Sequence, residues 1–156
     1  MKKIFCLILA LLLLTGCGAK QPSAPHTHDD LTIQIPMDYL DLSDEEYSEG
    51  LTFVYGLDPI AVNGLREEKS VFQSYGLDLN AQTYGQLLLK ANNVPGELEQ
   101  KDGIWTFSYH SGDYAYVVTL WETQEALWTV QAYCPAAQLN KCEKEMWQIL
   151  SSVTVN

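Results

Sequence analysis

The chain has 156 residues, with 9 Lys and Arg against 20 Asp and Glu and a formal charge of −11. A polymer this acidic is repelled by nucleic-acid phosphates and by anionic lipid headgroups, which excludes nucleic acid as a partner. The length suffices for one domain of ordinary size and not for two.

The first segment, "MKKIFCLILALLLLTGCGAK", sets Lys2 and Lys3 ahead of an unbroken apolar run from Ile4 to Leu14. A basic start, a short apolar stretch and a small-residue exit read as a secretory signal peptide over residues 1–16, too short to span a bilayer. Within it, "LTGC" (Leu14 to Cys17) resembles the lipobox of bacterial lipoproteins: an aliphatic residue, two small ones and a cysteine. That resemblance implies cleavage before Cys17 and a diacylglyceryl group on its sulfur, with palmitate-type chains holding the protein on the extracytoplasmic face of the cell membrane. Several acyl chains at about 0.8 kcal/mol per buried methylene make such an anchor effectively permanent. The alternative is an ordinary secretory signal that happens to end in a cysteine. Removal of residues 1–16 takes two lysines away and leaves seven basic against twenty acidic groups, a charge of −13.

From Cys17 to Asp30 the sequence, "CGAKQPSAPHTHDD", has two prolines and no large apolar side chain. It reads as a flexible tether, because it cannot bury enough surface to offset the entropy of ordering it. His26 and His28 are candidate metal ligands within it, although a flexible segment pays its full ordering cost on binding an ion.

The single domain is expected over residues 31–156. "LTIQIP" alternates Leu31, Ile33 and Ile35 with polar residues and predicts a strand ending at Pro36. "DLSDEEYSEG" places Ser43 three before Glu46 in the manner of a capping box and predicts a short helical turn. Strands follow over Leu51 to Leu57 and Pro59 to Lys69, the second with an irregular middle at Asn63 and Gly64. "AQTYGQLLLKANN" has helical spacing, with Asn80 as its N-cap and Gly85 weakening it. "ELEQ", "IWTFSYH", "YAYVVTLWE" and "ALWTVQAY", separated by "KDG", "SGD" and "TQE", predict an antiparallel meander. Alternation puts Trp105, Phe107 and Tyr109 on one face of their strand; the next, with Ala115, Val117 and Trp121 on one face and Tyr114, Tyr116, Val118 and Leu120 on the other, is apolar on both sides, so helices must cover both faces. Leu139, Cys142, Met146, Ile149, Leu150 and Val153 predict an amphipathic C-terminal helix, and "VTV" a short closing strand. The fold class is therefore α+β, an antiparallel β-sheet flanked by helices.

Of four cysteines, Cys6 leaves with the signal and Cys17 is the lipidation site, which leaves Cys134 and Cys142. An even pair in an extracytoplasmic protein reads as a disulfide, with reduced thiols as the alternative.

On the residues "IQIPMDY", "TYGQLLL", "ALWTVQAYCP" and "MWQILSSVTV", the chain resembles the PsbP-like family, the α/β/α sandwich shared by a photosystem II subunit and the eukaryotic Ran-release factor. More closely it resembles small lipoproteins of Gram-positive bacteria that carry this domain. The resemblance implies the fold over residues 31–156 and a docking role, with an unknown protein or envelope component as partner; it carries over no site residue.

No catalytic signature is present. Ser111, Asp113 and His110 share one turn and cannot approach a substrate from the three directions that a triad requires. The chain holds no phosphate loop and no H-E-x-x-H, and the adjacent carboxylates Glu45 with Glu46 and Glu67 with Glu68 diverge in direction. No enzyme activity and no cofactor are expected. Nine tyrosines and four tryptophans are the remaining lead. Tyr47, Tyr55, Tyr75 and Tyr114, near predicted loops or strand ends, are candidate binding residues. The function expected is a membrane-anchored, non-catalytic docking domain; the alternative is a small-ligand or carbohydrate receptor beside a transporter.

Overall fold

The computed structural model describes residues 22–156. The signal peptide over residues 1–16 and the lipidation site Cys17 lie outside the described residues. In chain order the strands and helices are β1 (Ser23–His28), β2 (Leu31–Pro36), β3 (Leu40–Asp41), β4 (Phe53–Leu57), β5 (Ile60–Glu68), α1 (Lys69–Ser74), α2 (Ala81–Ala91), β6 (Glu99–Lys101), β7 (Ile104–Ser111), β8 (Tyr114–Glu122), β9 (Ala126–Pro135), α3 (Leu139–Leu150) and β10 (Thr154–Val155). Seven strands form one antiparallel sheet in the order β3-β4-β5-β9-β8-β7-β6, and three form a second in the order β1-β2-β10. No helix among the described residues is long and apolar enough to cross a membrane.

The architecture is α+β, a central antiparallel sheet covered on both faces. On one face Phe53, Val62, Trp128, Val130 and Ala132 meet the apolar side of β2 (Leu31, Ile33, Ile35) and the buried stripe of α3 (Cys142, Met146, Ile149, Leu150). On the other, Phe107, Val118, Leu120 and Leu127 meet Ala81 and Tyr84 of α2. The double-sided apolar strand β8 thus finds cover on both sides, but on the first face a small sheet shares that task with a helix.

That small sheet corrects the expected tether, since Ser23–His28 is a strand in six-residue register with β2, His26 opposite Ile33 and His28 opposite Leu31. Its ordering cost is offset by the ladder and by inward-facing rings. His28 stacks on Phe53 at 4.5 Å between centroids, and both histidines reach the Tyr55 hydroxyl. The turn that follows is pinned by Asp30, whose carboxylate accepts from Trp128 Nε1 (2.8 Å), Thr123 Oγ1 (2.6 Å) and Arg66 Nε (3.3 Å). The short closing strand β10 pairs with β2 and not with the large sheet.

Other local expectations divide. Asn80 caps α2 in a reciprocal box, accepting from Thr83 N while its own N–H donates to Thr83 Oγ1. Ser43 makes no such cap on the 3-10 turn Glu46–Ser48; its hydroxyl is used by Val54 N and Asp41 Oδ1 instead. Strand β5 runs unbroken through Gly64, because a Cβ there would lie 2.2 Å from the Phe53 ring. Gly85, which lowers helix propensity, sits where α2 crosses β8: a Cβ would lie 2.3 Å from Leu120 Cδ1. Helix α1 follows β5 directly where the sequence announces no element, and its lack of any buried residue explains the missing signal.

Candidate functional site

The register of the large sheet sets Tyr109 of β7 opposite Tyr116 of β8, and Tyr116 opposite Tyr133 of β9. The same line continues through Ala61, Gly56 and Leu40 on β5, β4 and β3, so one row of side chains crosses six strands. The tyrosine rings stack at 4.6 and 5.1 Å between centroids. Helix α2 covers the neighbouring part of this face and reaches as far as Thr129 through the Tyr84 hydroxyl, which also bonds Glu67. Beyond that reach all three tyrosines are partly exposed.

Where the row passes to Ala61 and Gly56, loss of side-chain volume opens a depression of about 340 Å³ lined by Leu40, Leu42, Leu57, Ile60, Tyr114 and Pro135. Tyr114 stands edge-on to Tyr133 and is 44% exposed. Burial, with the neighbouring phenol next, pushes the Tyr109 hydroxyl above its ordinary pKa, and burial then Tyr114 does the same to Tyr116. Both are neutral hydrogen-bonding groups at physiological pH, and Tyr109 donates to Gln131 Oε1 at 3.4 Å. Tyr116, stacked between Tyr109 and Tyr133, has both ring faces covered by its neighbours. A sugar stacks on an open ring face, so the arrangement suits a protein surface better than a carbohydrate.

The sequence-predicted residues are distributed differently. Tyr114 belongs to this site, whereas Tyr75 is exposed at the far end of the sheet beyond α1, and the Tyr47 side chain lies outside what is described. Tyr55 is no surface residue: it is 3% exposed on the opposite face, its phenol pushed up to about 12 by burial and then by Asp41. Its hydroxyl lies 3.0 Å from His26 Nδ1 and 3.2 Å from His28 Nε2, so it can donate to one ring and accept from the other. The two candidate metal ligands are thus brought together with a phenol between them. No cluster of three or more His, Cys, Asp or Glu with metal-binding geometry occurs among the described residues.

Cys134 is the penultimate residue of β9 and Cys142 lies in the first turn of α3; both are buried free thiols, so the expected disulfide is not formed in the structure. They are nevertheless in hydrogen-bonding contact. Burial first, and then Cys142, pushes the Cys134 thiol up to about 11, which makes it a poor nucleophile. His110, Ser111 and Asp113 are exposed along the β7–β8 hairpin. A second, shallower groove of about 590 Å³ runs beside α3, but Lys101 Nζ lies 3.9 Å above the Trp147 ring and already covers that face.

Sequence reasoning placed Tyr109 and Tyr116 on strand faces but missed the row and Tyr133. The signal was the hairpin closing Ser111 on Tyr114, which fixes Tyr109 opposite Tyr116 once it is assigned.

No family model and no curated protein matches the chain. Among solved structures it is similar to the cyanobacterial PsbP of Synechocystis, at 15% identity over 92% of this chain and 99% of that one, with a TM-score of 0.61. A Bacteroides thetaiotaomicron protein is similar at 13% identity over 88% of this chain and 49% of that one, with a TM-score of 0.51. LpqN of Mycobacterium tuberculosis, described as involved in cell envelope biogenesis, reaches a TM-score of 0.49 at 16% identity over 86% of this chain and 91% of that one. Identities this low speak for the fold alone, and the chain has the PsbP-like fold.

Proposed function

We propose that the chain is a lipoprotein anchored through Cys17 on the extracytoplasmic face of the cell membrane. Its domain is a non-catalytic docking module that binds a protein component of the envelope. The observation that carries this reading is the partly exposed row Tyr109–Tyr116–Tyr133 on the part of the sheet that α2 leaves open. Tyrosine is enriched at recognition surfaces because it offers large apolar area with few rotatable bonds and a polar tip. In the oxidising compartment outside the membrane, Cys134 and Cys142 would join as a staple between β9 and α3.

One observation favours the receptor alternative: the depression beside the row falls within the size range of ligand pockets. It is lined mostly by leucine, isoleucine, proline and small residues, with few converging polar groups.

The test is site-specific photo-crosslinking of the full lipidated protein in intact membranes. A crosslinker at Tyr116 should give a discrete protein adduct, and one at the exposed Glu143 on α3 should not. Equal labelling from both positions, or none from Tyr116, would overturn the docking reading. A radiolabelled fatty acid incorporated by the parent and not by Cys17→Ser checks the anchor separately.

A further inference from the structure

We infer that the end of the sheet carrying Met37, Leu40, Leu57 and Tyr114 rests in the lipid–water interface of the membrane to which the chain is tethered; the inference depends on Cys17 being the anchor. Three independent features of the fold meet at that end.

The first is exposure. Among the described residues seven large apolar side chains are substantially exposed, and four of them gather here, with Met37 at 70% and Leu40 at 64%. The other three, Val71, Tyr75 and Leu77, lie on or just beyond α1, which leaves the sheet at Glu68 on its opposite end. Met37 follows β2, Leu40 opens β3, Leu57 ends β4 and Tyr114 begins β8. The antiparallel register brings the last three to one rim around the depression, and Met37 stands three residues before Leu40, across the turn that Tyr39 N–H closes on the Pro36 carbonyl. Soluble surfaces scatter such residues singly; a contiguous group marks a contact site.

The second feature is where the chain enters. Pro22 accepts a hydrogen bond from Met37 N–H at 3.0 Å, and Ser23 pairs with Pro36, so the segment from the anchor arrives at this same rim. The far end of the chain's fold is opposite, where Val155 pairs with Leu31 and Asn156 N–H donates to Asp30.

The third is reach. Because Ser23 already belongs to β1, only residues 18–22 separate Cys17 from the folded domain. Fully extended at about 3.5 Å per residue, six steps span roughly 21 Å, so the rim cannot stand far from the headgroups. The expected tether of residues 17–30 would have allowed twice that distance.

Charge settles the kind of surface. Asp38, Asp41, Asp58 and Asp113 are exposed near the rim, and no Lys or Arg lines the depression. Anionic headgroups are therefore disfavoured, and attachment comes from apolar insertion with tyrosine at the interface, where its apolar ring and wet hydroxyl both find a suitable medium. The tyrosine row lies one step inward from the rim, which presents the docking face to a partner that is itself at the membrane.

The test uses the full lipidated chain reconstituted in phosphatidylcholine vesicles, spin-labelled at Leu57→Cys or at Val71→Cys. The label at 57 should lose accessibility to an aqueous nickel chelate several-fold relative to the label at 71. Adding phosphatidylglycerol should restore part of that accessibility. Equal accessibility of the two labels on protein that floats with the vesicles overturns this inference and leaves the anchor intact. So does deeper burial of position 57 with the anionic lipid. Protein that fails to float overturns the anchor, and the inference with it.

Discussion

Replacing Asp30 with alanine removes the acceptor shared by three donors on three different segments, Trp128 of β9, Arg66 of β5 and Thr123 of the β8–β9 loop. The losses are unequal. Arg66 retains Glu68, and the Thr123 hydroxyl retains the Ala126 carbonyl, but Trp128 is 0% exposed and its indole N–H has no other acceptor among the described residues. An unsatisfied buried donor costs about 1–3 kcal/mol, and a hydrogen bond to a charged acceptor is worth about 1.5–3 kcal/mol. Because the three bonds share two oxygens they do not add, and Asp30→Ala should cost about 3 kcal/mol. Asp30→Asn keeps an acceptor for Trp128 and can donate its amide to Thr123, so only the charge facing Arg66 is lost, at about 1 kcal/mol. At about 3–4 °C per kcal/mol for a domain of this size, the alanine variant should melt roughly 10 °C below the parent. Urea unfolding followed by tryptophan fluorescence measures both variants. Burial raises the Asp30 pKa, but hydrogen bonds from Thr123, Trp128 and Arg66, with the Arg66 charge, outweigh it and hold the carboxyl below its ordinary value. Its stabilisation is therefore present above about pH 4 and lost as the pH falls through the lower folded value, so the gap between parent and Asp30→Asn should close in acid. Equal stabilities for the alanine and asparagine variants, or an alanine cost under about 0.5 kcal/mol, would refute the claim that this turn locks the first sheet onto the second.

Three further outcomes are expected. Gly85→Ala gains about 1 kcal/mol of helix propensity but forces a methyl against Leu120 and Leu98, a clash worth about 1–3 kcal/mol, so denaturation should show net destabilisation. The His28 pKa is lowered by burial and then by His26, against the opposing pull of Asp41 and Asp29. Neutral His28 thus stabilises the fold above about pH 6.5 and this is lost as the pH falls through the folded value; His28→Phe, which keeps the stack on Phe53, should flatten the stability profile between about pH 7 and 5. Treatment of the native domain with oxidised glutathione should lower its intact mass by two hydrogens and raise its stability by about 2–3 kcal/mol as Cys134 joins Cys142; full alkylation after that treatment would show the pair does not bond.

The parts of the fold that sequence revealed are those whose burial follows a simple period. Strand β9 buries alternate residues over most of its length, β7 and β8 stand out as β-branched and aromatic runs between turn signals, α3 repeats its apolar side chains at three and four, and Asn80 announces the start of α2. Strand β1 was invisible because its inward positions are Ala24, His26 and His28, which carry no hydrophobic signal until Phe53 and Tyr55 are known to face them. The same partnership misled the reading of Tyr55, which sits near the end of its predicted strand yet is buried under the histidines of β1. The candidate site was half legible: parity assigned the faces of Tyr109 and Tyr116, but a row across strands is a property of register, which depends on turns and not on any one strand. The shortness of the sequence between Cys17 and the first strand was hidden for the same reason as β1.

Strand β2 is held on one edge by β1 and on the other by β10, and Ser152 Oγ accepts from Gln34 N across 118 residues. The apolar side of β2 is therefore made early in synthesis but cannot be enclosed until α3 and β10 have emerged. Loop closure over that distance costs about 7 RT, roughly 4 kcal/mol, and the pairing is among the most non-local in the domain, so it should come late in folding. A chain folding as it emerges would thus keep this part of the core open until β10 is available. Loss of the segment from Ser151 onward would remove β10 and leave β2 with a bare edge beside α3, a point of attack for proteases.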